Sequence, residues 1–82
     1  MTAPHEATLV FEYPDPESAR LVERAVEGEL GEIDGDRTRA TLAREGANVT
    51  VAVFADDLVA LRAGLNTWTT LVEVAESAGG LS

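Results

Sequence analysis

The sequence predicts an α+β domain in the order β-α-β-β-α: a three-stranded antiparallel sheet with two helices on one face, forming a homodimer through the sheet side. Three observations predict it. Three stretches carry the apolar content of strands, two helix-spaced apolar patterns each begin at an acidic cap residue, and the last two strands are separated only by a short glycine turn. The domain is expected to span residues 6–77, with a disordered tail at 1–5 and a flexible tail at 78–82.

Each element has its own signal. From Glu6 to Tyr13, Ala7, Leu9, Phe11 and Tyr13 alternate with Thr8, Val10 and Glu12, which predicts a strand. Asp15 can cap a helix and Pro16 suits its first turn. This helix runs to about Glu27 with Ala19, Val22, Ala25 and Val26 inward, and Gly28 and Gly31 end it. An acidic stretch to Asp36 follows, with an Asp34-Gly35 turn signal. Arg37 to Glu45 alternates as a second strand, Glu45-Gly46-Ala47-Asn48 turns, and Val49 to Phe54 is a third strand. In that third strand Val49, Val51 and Val53 point one way and Thr50, Ala52 and Phe54 the other. Both faces read as apolar, so a second copy of the chain is expected over the face without helices.

Asp56 or Asp57 caps the last helix, which continues to about Glu76. Leu61, Leu65, Trp68, Val72 and Ala75, with Leu58 at the edge, form the stripe expected to meet the domain's own sheet. Beside it lie Ala60, Ala63, Gly64, Thr67, Leu71 and Val74, so small and apolar groups cover roughly 200° where a little over 100° suffices. The missing bulk at Ala60 and Gly64 would let another helix come close, which makes this second stripe a candidate docking face.

Composition narrows the function. The chain has 82 residues, no cysteine and a single histidine, His5, which excludes disulfides, Cys-ligated zinc and a His-rich metal site. A domain this small buries only roughly 60% of its unfolded surface, and self-association is a common remedy. Fifteen acids face six bases, all of them arginine, for a net charge of −9. That charge self-repels unless salt screens it, which suggests a halophilic acidic surface. It also argues against free-standing nucleic-acid binding. No signal peptide or membrane span is legible, so a cytoplasmic location is expected.

No catalytic set is legible: Ser18, Ser77 and Ser82 have no base near them in sequence, there is no lysine, and no phosphate loop follows a strand. The acidic segment Glu27 to Asp36 lacks the calcium-loop pattern. Neither cofactor nor metal is expected. Arg37 and Arg39 alternate onto one strand face, and Arg62 stands beside Asn66 and Thr69 on the last helix. Guanidinium groups so placed suit phosphate contacts, or equally the chain's own carboxylates.

"FEYPDPESARLVERAV" and "DRTRATLAREGANVTVAVFADDLVALRAGLNTWTTLVEVAE" resemble the CTAG/PCC family, the small dimerisation subunits of the KEOPS tRNA-modification complex. The match lies in the element order, Ala55-Asp56-Asp57 at the strand end, Leu61-Arg62-Ala63, and Asn66. The acidic surface and the absence of lysine depart from the family pattern. The resemblance implies a non-catalytic, archaeal-type scaffold subunit, not an enzyme. It would form a homodimer, dock the ATPase-fold catalytic subunit of KEOPS, and help hold tRNA for threonylcarbamoyladenosine (t6A) modification. Docking would fall to Ala60, Gly64, Thr67, Leu71 and Val74, and tRNA contact to Arg37, Arg39, Arg62 and Asn66.

The alternative is a homodimeric ligand-binding regulatory domain of ferredoxin-like type. It calls for a sixth element, a strand that Ala78 to Ser82 cannot supply, and a glycine loop that Tyr13-Pro14-Asp15-Pro16 lacks. A KH-type RNA module needs a basic Gly-x-x-Gly loop, and Gly28-Glu29-Leu30-Gly31 is acidic.

Overall fold

The computed structural model describes residues 4–30 and 37–81. Their elements run β1 (His5–Glu12), α1 (Pro16–Glu27), β2 (Thr38–Glu45), β3 (Asn48–Ala55) and α2 (Leu58–Ala78). The predicted order and class are what the chain adopts. Gly31, the Asp34-Gly35 turn, most of the acidic stretch, residues 1–3 and Ser82 lie outside the described residues.

The sheet order is β1-β3-β2, with β3 antiparallel to both neighbours. The central strand is the most apolar one, because only it has a neighbour on both sides. Val49, Val51, Val53 and Ala55 of β3 are buried, and Leu9, Phe11, Ala40 and Leu42 pack beside them from the edge strands. The β2–β3 loop has two residues, and Gly46 takes φ 61 at the first of them, where such a hairpin needs a left-handed backbone. The N–H of Tyr13 donates to the Ala47 carbonyl at 2.9 Å, which ties the exit of β1 to this turn.

Both helices cover one face. Asp15 caps α1 by accepting from the Ser18 N–H at 2.7 Å, and these Ser18 hydrogen bonds hold the Asp15 carboxyl below its usual pKa. Ala19, Val22 and Val26 of α1 are buried; Ala25, expected inward, is exposed, because the turn carrying it rotates away from the sheet. Arg44 reaches up from the helix side of β2 to Glu23 of α1, Nε to Oε1 2.9 Å, and also donates to the Gly46 carbonyl. Of the two adjacent acids before α2, Asp57 is the cap, accepting from the Ala60 N–H at 2.8 Å.

Trp68, Val72, Ala60 and Ala75 are the buried residues of α2, and Leu61, Leu65 and Leu71 are half-buried against the core. The inward side therefore sits further round than the sequence suggests. Leu58 is more than half exposed, while Ala60 is buried. Gly64 faces the sheet: a Cβ built there would lie 2.9 Å from Val53 Cγ1. Small residues at 60 and 64 let α2 lie down on β3. At the far end the Tyr13 hydroxyl donates to Glu76 Oε2 at 2.7 Å, and Leu81 folds back on the core after Gly80, whose φ is 74. Burial, reinforced by the bond to the Glu76 carboxylate and its negative charge, pushes the Tyr13 phenol well above its ordinary pKa.

Candidate interaction surfaces

With the inward side of α2 fixed, its outward side follows. Val59, Ala63, Asn66, Thr67, Thr70 and Val74 are exposed, at spacings of three and four that keep them on one side of the helix. Val59 and Val74 are 72% and 61% exposed, unusual values for valine in so small a domain. From Leu58 to Thr70 the only charged residue is Arg62. On a chain of net charge −9, an uncharged helix face this long stands apart from the rest of the surface. Thr67 and Thr69 turn their hydroxyls back on the Ala63 and Leu65 carbonyls, at 2.9 and 2.8 Å, so both hydroxyls are already hydrogen-bonded within the helix.

Of the five residues expected to dock a partner, Thr67 and Val74 lie on this outward face and Leu71 is half-buried at its edge. Ala60 is buried in the protomer's own core and Gly64 lies against Val53. Val59 and Thr70 are on the outward face without having been singled out. The signal was present: Trp68 and Val72 extend back by steps of four to Gly64 and Ala60, so small residues continue the buried row.

The second surface is the outer face of the sheet. The strand register arranges it in four rows across β1, β3 and β2: Glu6–Phe54–Arg39, Thr8–Ala52–Thr41, Val10–Thr50–Ala43 and Glu12–Asn48–Glu45. Its middle is small, apolar or threonine, and its charges sit at the two ends. Val10 is 56% exposed there, and Thr50, Ala52 and Phe54 are half-buried by their neighbours alone.

The four residues expected near tRNA do not form one patch. Arg37 is paired with Asp57 at the start of α2 and is half exposed. Arg39 lies on the outer sheet face, opposite the helices, whereas Arg62 and Asn66 are exposed on α2. Among the described residues, the side chains of Arg20, Arg24, Arg39 and Arg62 have neither an ion pair nor a hydrogen bond. Arg20 and Arg24 flank Leu21 and Glu17 around a shallow hollow on α1.

Among the described residues no three His, Asp or Glu side chains gather to hold a metal ion. Among the described residues no helix is long and apolar enough to cross a membrane. No curated protein matches the chain. A family model described as "transcription factor Pcc1" matches residues 6–78.

Proposed function

From the chain's membership of the Pcc1 family, the KEOPS-complex subunit family, we propose that it is the non-catalytic scaffold subunit of a KEOPS assembly that modifies tRNA. In this reading one protomer pairs with a second copy through the outer sheet face. Each protomer then docks one ATPase-fold catalytic subunit, which supplies the t6A chemistry in the cytoplasm. The observation that carries the reading is the uncharged outward face of α2. Val59, Ala63, Thr67, Thr70 and Val74 offer small, apolar contacts along about 20 Å of helix, at 1.5 Å per residue. A helix of the partner would lie along them in the way helices pack ridge into groove.

Arg62 flanks that face and Asn66 lies on it, so RNA held by the catalytic subunit would pass beside them. Arg37 would join them only by giving up Asp57. Arg39 is on the far side and is assigned to the copy-to-copy face instead.

The test is light scattering on a sizing column in molar salt, with the chain alone and then mixed with the catalytic subunit. A dimer that shifts to a larger complex is expected, and Ala63→Arg or Val74→Asp should abolish the shift while leaving the dimer intact. A dimer whose shift survives both substitutions would overturn this docking face.

A further inference from the structure

One row of the outer sheet face is complementary to itself. Glu6, Phe54 and Arg39 stand side by side on β1, β3 and β2: an anion, an aromatic ring and a cation. Strands about 4.8 Å apart set the Glu6 and Arg39 backbones about 10 Å from each other, with Phe54 between them, and the two side chains do not pair within the sheet. Neither has a partner elsewhere in the described residues, and both are exposed. Arg39 is the sole base on this face; its other charges are Glu6, Glu12 and Glu45.

We infer that a second copy stacks on this face about a two-fold axis running along β3, so that Phe54 meets Phe54 and each Glu6 meets Arg39 of the other copy. The inference rests on the homodimer reading above and adds its register. An isologous interface must match its own surface under the two-fold rotation. Rotation about an axis along β3 lays β1 over β2 of the second copy at the same row. The row Glu6–Phe54–Arg39 then meets its own reverse: anion on cation, ring on ring, cation on anion. Rotation about an axis across the strands lays Glu6 over Glu12, Phe54 over Asn48, and Arg39 over Glu45. Both arrangements contain two attractions and two repulsions, so charge alone does not choose. The ring does: ring on ring buries two apolar surfaces, whereas ring on amide strips water from Asn48 without giving it a partner. The chosen arrangement leaves Glu12 over Glu45 at the far end, an exposed repulsion that salt screens.

Sedimentation of the full chain across a dilution series at moderate salt tests it. Arg39→Glu and Glu6→Arg should each weaken the dimer about ten-fold, since each reverses two exposed ion pairs. The two substitutions together should restore it to within about two-fold. Emission of the single, buried Trp68 confirms that each variant is folded. A dimer indifferent to both single substitutions overturns the register. So does a tighter dimer in Glu6→Arg alone, because the other axis would turn its Glu6–Glu12 repulsion into an attraction. A wild-type chain that stays monomeric at every concentration and salt overturns the homodimer itself, and the register with it.

Discussion

Gly64 and Val53 are in contact across the helix–sheet boundary, so close that a Cβ on Gly64 would lie 2.9 Å from Val53 Cγ1. Val53 is a buried residue of the central strand, so it has little room to yield. Gly64→Leu is therefore expected to lower stability by about 1–3 kcal/mol through overpacking. Ala63→Leu, one position earlier and exposed, should change it by less than about 0.5 kcal/mol. Urea unfolding followed by Trp68 emission would compare the two; equal effects would contradict the placement of Gly64.

Asp57 has two jobs at one corner. One carboxylate oxygen accepts from the Ala60 N–H and the other pairs with Arg37, while the Asp56 N–H donates to the Arg37 carbonyl at 3.0 Å. Asp57→Ala should cost about 1–2 kcal/mol from the lost cap. Asp56→Ala should be near neutral, because its side chain is exposed. Arg37→Ala should cost well under about 1 kcal/mol, as expected of an exposed pair, and that small loss should shrink in high salt. Thermal melts of the three variants in low and high salt would separate the contributions.

Alkaline stability isolates Tyr13. Its pKa in the folded chain lies above the ordinary value near 10, so the folded state holds the phenol proton more tightly than the unfolded state does. The resulting stabilisation is complete below about pH 10 and disappears as pH rises through the folded pKa. With no lysine, no cysteine and one tyrosine, no other side chain titrates in that window. Unfolding free energy should therefore fall above about pH 10 in the wild type and stay flat in Tyr13→Phe. At neutral pH the variant should lose about 1 kcal/mol, since the bond to Glu76 is partly solvated. A parallel fall in both proteins would remove Tyr13 as the cause.

Charge repulsion should make the fold depend on salt. With a net charge of −9 on 82 residues, the melting temperature should rise between low and molar sodium chloride as the Debye length shortens from about 30 Å at 0.01 M to 3 Å at 1 M. Scanning calorimetry at several salt concentrations would show it, and a flat series would mean that the carboxylates are far enough apart to ignore one another.

Element order, both caps and the hairpin were legible because each rests on local chemistry: Asp15 before Pro16, an acid before Leu58, a glycine between two alternating stretches. The rotation of α2 was not. Bulk suggested Leu61 and Leu65 as the inward row, yet Gly64 lies against the sheet and Ala60 is buried, because the helix comes close enough to need small residues. How near two elements approach is a tertiary quantity, and periodicity leaves it open. The pairing of Arg37 was hidden for a similar reason: strand alternation gives its face, but the corner between β3 and α2 brings Asp57 to it. The outer sheet face was legible as a surface, whereas its rows required the register.

The order β1-β3-β2 also has a kinetic consequence. The β2–β3 hairpin closes over two residues, whereas β1 reaches β3 only across α1 and β2. Closing the long loop carries the greater entropy, so the hairpin is expected to be in place before β1 docks on its free side. Substitutions at Leu42 or Val51 should then slow folding, and those at Leu9 should chiefly speed unfolding. A chain emerging in order from its N-terminus would have to hold β1 unpaired until almost all of the sheet had been made.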